Sequence, residues 1–432
     1  MAEGICEVKS GKLGGRLPAL LLEAPEERVG IFDKLFLRKP TREEFVKKVL
    51  EALEKGGARD LQHDAEERSI KVGSSDKVFY LDNALADYTA ADPGARSAVI
   101  QRYVSSFLQD ASTPKDFASA KAALLPVVRD PAYFSLSLMM LKSDGRDTSN
   151  LDYATKKITD GLVAGVAYDT EHSIMSVNRS TLKEWGVALE ESLQVAILNL
   201  RERTSPNGMK EIGSGLFVSQ WGDCYDSARI LLPDILHRLA LNGDPVIFVP
   251  NRDQLWATGK YNKAGITAML THGKESHFEQ GHSLSPNLYA HTDGKWQLYV
   301  PEEQELRKLA LSMKRQRDGI DYAQQKNYLD KLHKREEKDI FVASCQVYKR
   351  PDESLFSHCV WSNGVDSLLP ETDFIVFMED VEKKEHFSVG WHEATPIVNS
   401  LMEKEPELMP VRYRARKFPD AGQISQLRAL AK

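Results

Sequence analysis

Residues 213–256 read GSGLFVSQWGDCYDSARILLPDILHRLALNGDPVIFVPNRDQLW and hold loop, helix and strand signals in one stretch. Asp223 precedes a helix-competent run and Asp226 adds a second carboxylate, so Asp223 is predicted to cap a helix. Pro233 predicts the start of a second helix, because proline lacks the amide that a helix interior needs. The apolar run 246–249, set between two prolines, is typical of a strand buried on both faces.

Polar residues follow that strand at once, as Asn251, Arg252 and Asp253. In open α/β sheets, ligands bind beyond the carboxyl ends of the strands, where loop side chains converge. Arg252 and Asp253 are therefore candidates for a ligand site. Two structural alternatives stand beside it: an ion pair between the two side chains, or Asp253 as the cap of a helix that starts at Gln254.

The candidate catalytic residues are Asp223, Asp226 and Asp253. Their carboxylates suit acid–base chemistry or the binding of a hard cation such as Mg²⁺, and carboxylates three residues apart in a helix share a face. The candidate ligand-binding residues are Arg252, Asn251, Arg229 and Arg129. Arg252 is the predicted anion clamp, and Arg129 ends another apolar run in the same Arg-Asp pair. The sequence assigns no metal ligand set and no cofactor.

Bulk composition excludes several classes of protein. The chain has 432 residues, 42% of them hydrophobic, which is enough for two or three domains with cores of their own. A net charge of -6 gives no reason to expect general affinity for nucleic acid. Four dispersed cysteines form no C-x-x-C pair, which fits a reducing cytoplasm. The early apolar run 17–22 is too short to span a membrane, so no membrane association is expected.

The predicted fold class is α+β or mixed α/β. Residues 41–301 are predicted to form a central mixed sheet with packed helices, opened by a helix that Thr41 and Glu44 cap. Residues 302–339 are strongly charged with sparse apolar positions, which predicts a largely solvated helical connector. Residues 340–432 show short strand patterns and predict a smaller α+β domain with a basic, solvated tail at 412–417. Residues 1–40 stay unassigned.

Several short motifs in this order carry a family resemblance. They are LLPVVR at 124–129, the run 161–200, GDCYDSARILLPDI at 222–235, VIFVPNRDQL at 246–255 and SLSPNLYAHTDGKWQLY at 283–299. The most particular are D-x-x-x-S-A-R-x-L-L at 223–232 and P-N-R-D at 250–253. With these motifs the chain resembles the YtpQ-like family of bacterial proteins over about residues 41–301. The resemblance implies a cytosolic bacterial protein and carries no established activity.

The sequence lacks the common nucleotide-binding, serine-hydrolase and zinc-protease motifs. Two hypotheses follow. The first is a noncatalytic binding or regulatory protein that binds another protein through its C-terminal domain. The alternative is a metal-assisted hydrolase or transferase acting on a phosphorylated or anionic small molecule, with Arg252 as its anion clamp.

Overall fold

The computed structural model describes residues 6–8, 40–66, 68–73, 77–108, 113–149, 151–170, 173–278 and 282–431. The chain divides into two compact units. The first unit comprises the described residues of Met1–Arg129 and Asn150–Tyr299, and the second those of Asp130–Ser149 and Val300–Lys432. Most of the lead 1–40 and the apolar run 17–22 lie outside the described residues.

Both units contain helices and sheets, so the predicted mixed α+β class is confirmed. The helices are α1 (Arg42–Lys55), α2 (Asp82–Ala90), α3 (Arg96–Leu108), α4 (Phe117–Ala120), α5 (Pro131–Ser143), α6 (Arg179–Trp185), α7 (Leu189–Arg203), α8 (Pro233–His237), α9 (Lys263–Phe278), α10 (Gln304–Arg335), α11 (Trp391–Val398) and α12 (Ala421–Ala429). The strands are β1 (Cys6–Val8), β2 (Leu61–Asp64), β3 (Ser69–Val72), β4 (Val78–Tyr80), β5 (Leu124–Arg129), β6 (Lys156–Thr159), β7 (Leu162–Asp169), β8 (Ser173–Ser176), β9 (Met209–Glu211), β10 (Phe217–Ser219), β11 (Pro245–Phe248), β12 (Trp256–Gly259), β13 (Leu288–Thr292), β14 (Lys295–Tyr299), β15 (Phe341–Val342), β16 (Gln346–Lys349), β17 (Leu355–Ser362), β18 (Ser367–Pro370), β19 (Phe374–Asp380), β20 (Glu385–Gly390), β21 (Glu403–Glu405) and β22 (Arg412–Ala415). Among these helices, none combines the length and apolar composition needed to cross a lipid bilayer.

The first unit contains three sheets, and every strand pair described in them is antiparallel. Their strand orders are β2-β3-β4, then β1-β8-β7-β5 with β6 beside β7, and β14-β13-β11-β12-β10-β9. β11 is buried along its whole length, as the apolar run between two prolines predicts. The parallel pairs that make a sheet mixed occur in the second unit, between β17 and β19 and between β15 and β18.

Helix α1 shows how local sequence fixes an element here. The Thr41 hydroxyl accepts from the Glu44 amide and the Glu44 carboxylate accepts from the Thr41 amide, so the predicted capping box is present. The apolar face of α1 buries Phe45, Val49 and Leu53 in a core shared with α2, α3 and the β2–β4 sheet. The opposite, polar face of α1 lies at the protein surface.

The second unit is built from two separate parts of the chain, which the sequence did not predict. α5 lies between β5 and β6 in sequence but packs with α10: Leu136 and Met139 share a core with Tyr328 and Leu329. The remaining elements form two four-stranded sheets, β15-β18-β22-β21 and β16-β17-β19-β20. Trp361, Phe377 and other buried side chains fill the core between them and the terminal helices.

The charged segment 302–339 is helical as predicted, but it is not a largely solvated connector. It forms α10, whose buried side chains include Met313, Tyr322 and Leu329, and it belongs to the second unit. Polar residues also turn inward: the Tyr322 hydroxyl donates to the Val411 carbonyl, and the Gln325 amide donates to the Pro410 carbonyl. Some buried positions of α10 are thus occupied by hydrogen-bonded polar residues. Apolar residues are therefore sparse in its sequence even though one side of the helix is buried.

The tail 412–417 corrects a second expectation, because its first arginine is not solvated. Arg412 is fully buried in β22. Its guanidinium donates to the carbonyls of Ala343, Leu368 and Tyr322 and to the Gln325 side chain. Burial lowers the pKa of Arg412 to about 10, so the group stays charged at neutral pH. Arg416, four residues on, is exposed as predicted.

Replacement of Arg412 by methionine should destabilise the second unit. The variant leaves buried carbonyls without donors, which lowers the free energy of unfolding by about 3 kcal/mol. The measurement is urea unfolding followed by tryptophan fluorescence. Arg416→Met is the matched control, since its ion pair with Glu403 lies at the surface and contributes less than about 1 kcal/mol. Equal stability of the two variants would contradict this account.

Candidate functional site

The predicted helix after Asp223 does not form, and a loop takes its place. The first helical residue is Ser227, which opens a short 3-10 helix, Ser227–Leu231. Gly222 and Cys224 both have left-handed backbones, with φ of 61° and 69°. Cys224 therefore lies in a turn. Pro233 does begin a helix, α8, as its missing amide predicts.

The Arg229–Asp223 pair dominates this loop. The two guanidinium Nη atoms donate to the two carboxylate oxygens at 2.9 and 2.7 Å. Arg229 is fully buried, its Nε donates to the Thr204 hydroxyl at 3.0 Å, and its guanidinium carbon lies 4.2 Å from the Trp221 ring centroid. The guanidinium of Arg229 is thus held by Thr204, Trp221 and Asp223, and Asp223 keeps 32% of its side chain exposed.

Asp226 is buried inside the same loop and ties its backbone together. Its carboxylate accepts from the amides of Trp221 and Gly222 at 3.2 and 3.1 Å. Burial raises the pKa of Asp226 to about 6, opposed by a hydrogen bond from Ser219 and reinforced by the charge of Asp223. The loop conformation therefore places a carboxyl group with an unusual pKa where solvent does not reach it.

Asn251, Arg252 and Asp253 lie in the connection between β11 and β12. The two strands are antiparallel, so the rule for ligands at the carboxyl ends of parallel strands does not apply here. Residue 254 starts no helix, because β12 follows at Trp256; the prediction that Asp253 caps a helix is wrong. Asn251 instead accepts from the Asp253 amide at 3.0 Å and donates to the Ser276 carbonyl at 3.1 Å.

Arg252 and Asp253 form the ion pair that was the structural alternative for them. Nε of Arg252 lies 3.2 Å from the Asp253 carboxylate, and only 1% of the arginine surface is exposed. The Arg252 carbonyl accepts from the Ser227 amide at 3.2 Å, which joins this connection to the loop of Asp223. The charge of Asp253 also raises the pKa of Asp226.

The structure thus brings most of the predicted residues together, and the strand that ends in Arg129 packs against Ser227–Leu231. Asp223, Asp226 and Arg229 share one loop, and Arg252 and Asp253 adjoin it. Arg129 ends β5 in the five-stranded sheet, where its Nη1 donates to the Val128 carbonyl at 2.7 Å. Within the described ranges, no group of three or more His, Cys, Asp or Glu side chains is placed to hold a metal ion.

Four contacts at this site had no predictive signal in the sequence. Trp221 and Thr204 complete the surroundings of Arg229, although Thr204 lies in a different segment after α7. Tyr225 donates to Asp169 at 2.7 Å, and Arg203 donates to the other oxygen of that carboxylate at 2.9 Å. Only Gly222, beside Trp221, hinted at a tight turn. The cluster therefore binds neighbouring loops to one another.

The raised pKa of Asp226 predicts a pH-dependent stability. The folded-state pKa of about 6 lies above the ordinary value of 3.8, so the folded state holds the proton more tightly. The stabilising contribution is complete below pH 3.8 and is lost as pH rises through 6. Relative to Asp226→Asn, the wild-type free energy of unfolding should fall by about 3 kcal/mol across this range.

Urea unfolding at a series of pH values measures this difference. Asp160→Asn, which changes an exposed carboxylate of the same unit, is the control and should keep the wild-type pH dependence. Parallel curves for wild type and Asp226→Asn would mean that Asp226 titrates normally.

Comparison with protein-family models, curated proteins and solved structures finds no match for this chain, so the resemblance to the YtpQ-like family stays a prediction.

Proposed function

We propose that this protein is a noncatalytic binding protein whose second unit binds a partner protein on one face of the β16-β17-β19-β20 sheet. The observation that carries the proposal is the composition of that face, which we call the outer face. It consists of Gln346, Tyr348, Phe356, His358, Val360, Ser362, Phe374, Val376, Met378, His386 and Ser388. None of these residues is Asp, Glu, Lys or Arg.

Strand alternation defines which side chains belong to the outer face. In β17, Ser357, Cys359 and Trp361 are buried, and the residues between them are half-buried. Successive side chains of a strand point to opposite sides of the sheet, so Phe356, His358 and Val360 point away from the core. In β19, buried Ile375 and Phe377 alternate with half-buried neighbours in the same way.

Aromatic rings cover one end of the outer face. The Tyr348 ring lies nearly parallel to that of His358, at 7° and 5.2 Å between centroids, and it stacks on Phe356 at 5.9 Å. Phe356 meets Phe374 edge to face at 6.1 Å. Tyr348 keeps 47% of its surface exposed. Mutual stacking restrains these rings, which lowers the entropy lost when a partner covers them.

A protein is the occupant that this composition favours. A sheet face in contact with water usually presents polar side chains, whereas the cores of protein interfaces are depleted of charge and enriched in Tyr, Phe and Met. A nucleic-acid strand would require several lysines or arginines for its phosphates, whereas the outer face is built without either and has the Arg350 guanidinium packed 4.5 Å from the Phe356 ring centroid. An apolar surface on another protein matches both the lack of charged residues on the outer face and its aromatic side chains.

The ion pairs and hydrogen bonds of the three aspartates favour a noncatalytic role over the metal-assisted hydrolase or transferase. Asp223 and Asp253 are paired with Arg229 and Arg252, and Asp226 accepts hydrogen bonds from the loop that surrounds it. Carboxylates held in this way are poor general bases and poor metal ligands, because those bonds would have to break first.

The resemblance to the YtpQ-like family and a cytoplasmic location belong to the same proposal. The resemblance covers about residues 41–301, so the outer face lies beyond it. The cytoplasmic location rests on cysteine usage: Cys224, Cys345 and Cys359 are free thiols.

Replacement of Tyr348 by lysine should weaken partner binding with little effect on folding, because the side chain is already half exposed. Loss of an aromatic anchor of an interface costs about 2 kcal/mol, or roughly 30-fold in Kd. The immobilised full chain is used to isolate a partner from source-cell extract, and calorimetry then measures its Kd for wild type and variants.

Tyr261→Lys is the matched control, since Tyr261 is a 71% exposed tyrosine of the first unit. A partner bound equally by wild type and Tyr348→Lys, or no retained partner, would refute the proposal. Light scattering tests whether the chain binds to itself. If the wild type self-associates and Tyr348→Lys does not, the outer face binds a second copy of this chain and not another protein.

A further inference from the structure

A cleft of about 460 Å³ lies in the first unit between α1 and α3. Lys48, Glu51 and Lys55 line it from α1, on successive turns of the polar face opposite the buried one. Arg96 and Ile100 line it from α3. The volume falls in the range of small-molecule sites.

Two cations of the cleft converge on one buried tyrosine. Lys48 Nζ donates to the Tyr88 hydroxyl at 2.9 Å and lies 5.6 Å from the ring centroid. The guanidinium carbon of Arg96 lies at the same distance from that ring. Tyr88 is 1% exposed and packs against Phe45 in the core, with 5.1 Å between the ring centroids, so it holds both cations against a fixed floor.

Among the described residues, the side chains that line the cleft carry a net positive charge. Lys48, Lys55 and Arg96 face a single carboxylate, Glu51, and within the described part of the chain none of the three forms an ion pair. The Nε of Arg96 is shielded from solvent and has no hydrogen-bond acceptor among those residues. An N–H group in this position is costly unless something accepts from it.

Asp87 of α2 does not supply the missing charge. Its carboxylate accepts from Tyr103 at 2.8 Å and from Arg102 at 3.3 Å. Three cations against one carboxylate leave two positive charges in the cleft, which an anion with about two negative charges would neutralise. A phosphate monoester carries roughly that charge at neutral pH.

We propose that this cleft binds a phosphate monoester, with Arg96 donating to the phosphate, Lys48 and Lys55 beside it, and Tyr88 as the floor. The guanidinium is suited to this role because its planar donors match two phosphate oxygens at once. Ile100, Ala52 and Pro93 add apolar wall, so the ester's organic group gains contacts that free phosphate lacks. This site belongs to the first unit and does not depend on the outer face.

Isothermal titration calorimetry of the full chain at low ionic strength tests the proposal with phenyl phosphate, inorganic phosphate and phenylacetate as probes. Saturable binding is expected, tightest for phenyl phosphate, and it should weaken as salt increases. Arg96→Gln should raise the Kd of phenyl phosphate by about tenfold, the loss expected for one charged hydrogen bond. Lys55→Gln, which changes an exposed side chain, keeps the test valid if Arg96→Gln does not fold, and should raise Kd by about threefold.

Lys47→Gln is the matched control. Lys47 neighbours Lys48 on α1 but is exposed and does not line the cleft, so its loss should change Kd by less than about twofold. Absence of saturable binding would overturn the proposal. An equal loss of affinity in Lys47→Gln and Lys55→Gln would also overturn it, since that result marks a general charge effect. Tightest binding of phenylacetate would assign the cleft to carboxylates in place of phosphate esters.

Discussion

Burying a guanidinium group is the constraint on which both units depend. Arg229 and Arg412 are each fully buried, and an arginine cannot lose its charge to escape the cost of desolvation. The chain meets that cost in two ways. Arg229 has a carboxylate partner, Asp223, whereas Arg412 has backbone carbonyls from three other segments. In both units the groups around the arginine are held in place because moving any of them would leave a buried guanidinium N–H without its acceptor.

These two solutions explain where the site prediction failed. Asp223 was expected to cap a helix, but its carboxylate is used by Arg229, and the turn at Gly222 and Cys224 replaces the first helical residues. The predicted helix after Asp253 is absent because its residues pair with β11 instead. In both places the local preference for helix is outweighed by a contact that it does not include: the ion pair with Arg229 for Asp223, and strand pairing with β11 for the residues from Trp256 onward.

Helices and strands that are determined by their own residues were predictable from the sequence. The capping box of α1 and the apolar run of β11 each contain the residues that determine them. The outer face was not predictable, since β17 carries apolar residues on both of its faces and alternation alone does not tell which face stays uncovered. The cleft was equally hidden, because Lys55 and Arg96 are remote in sequence and meet only when α1 packs on α3. The α+β class was predicted correctly because it depends on which segments form helices and strands, and not on which of these pack together.

The divided second unit has a consequence for how the chain emerges from the ribosome. α5 is synthesised early, yet the residues that cover Leu136 and Met139 come from α10. At ordinary elongation rates the interval between the two helices is on the order of ten seconds. Throughout that time the apolar stripe of α5 is open to water on a nascent chain, which makes it a binding site for chaperones and a point of attack for proteases. If translation stopped before α10, the truncated product would keep α5 exposed, and proteases would degrade it.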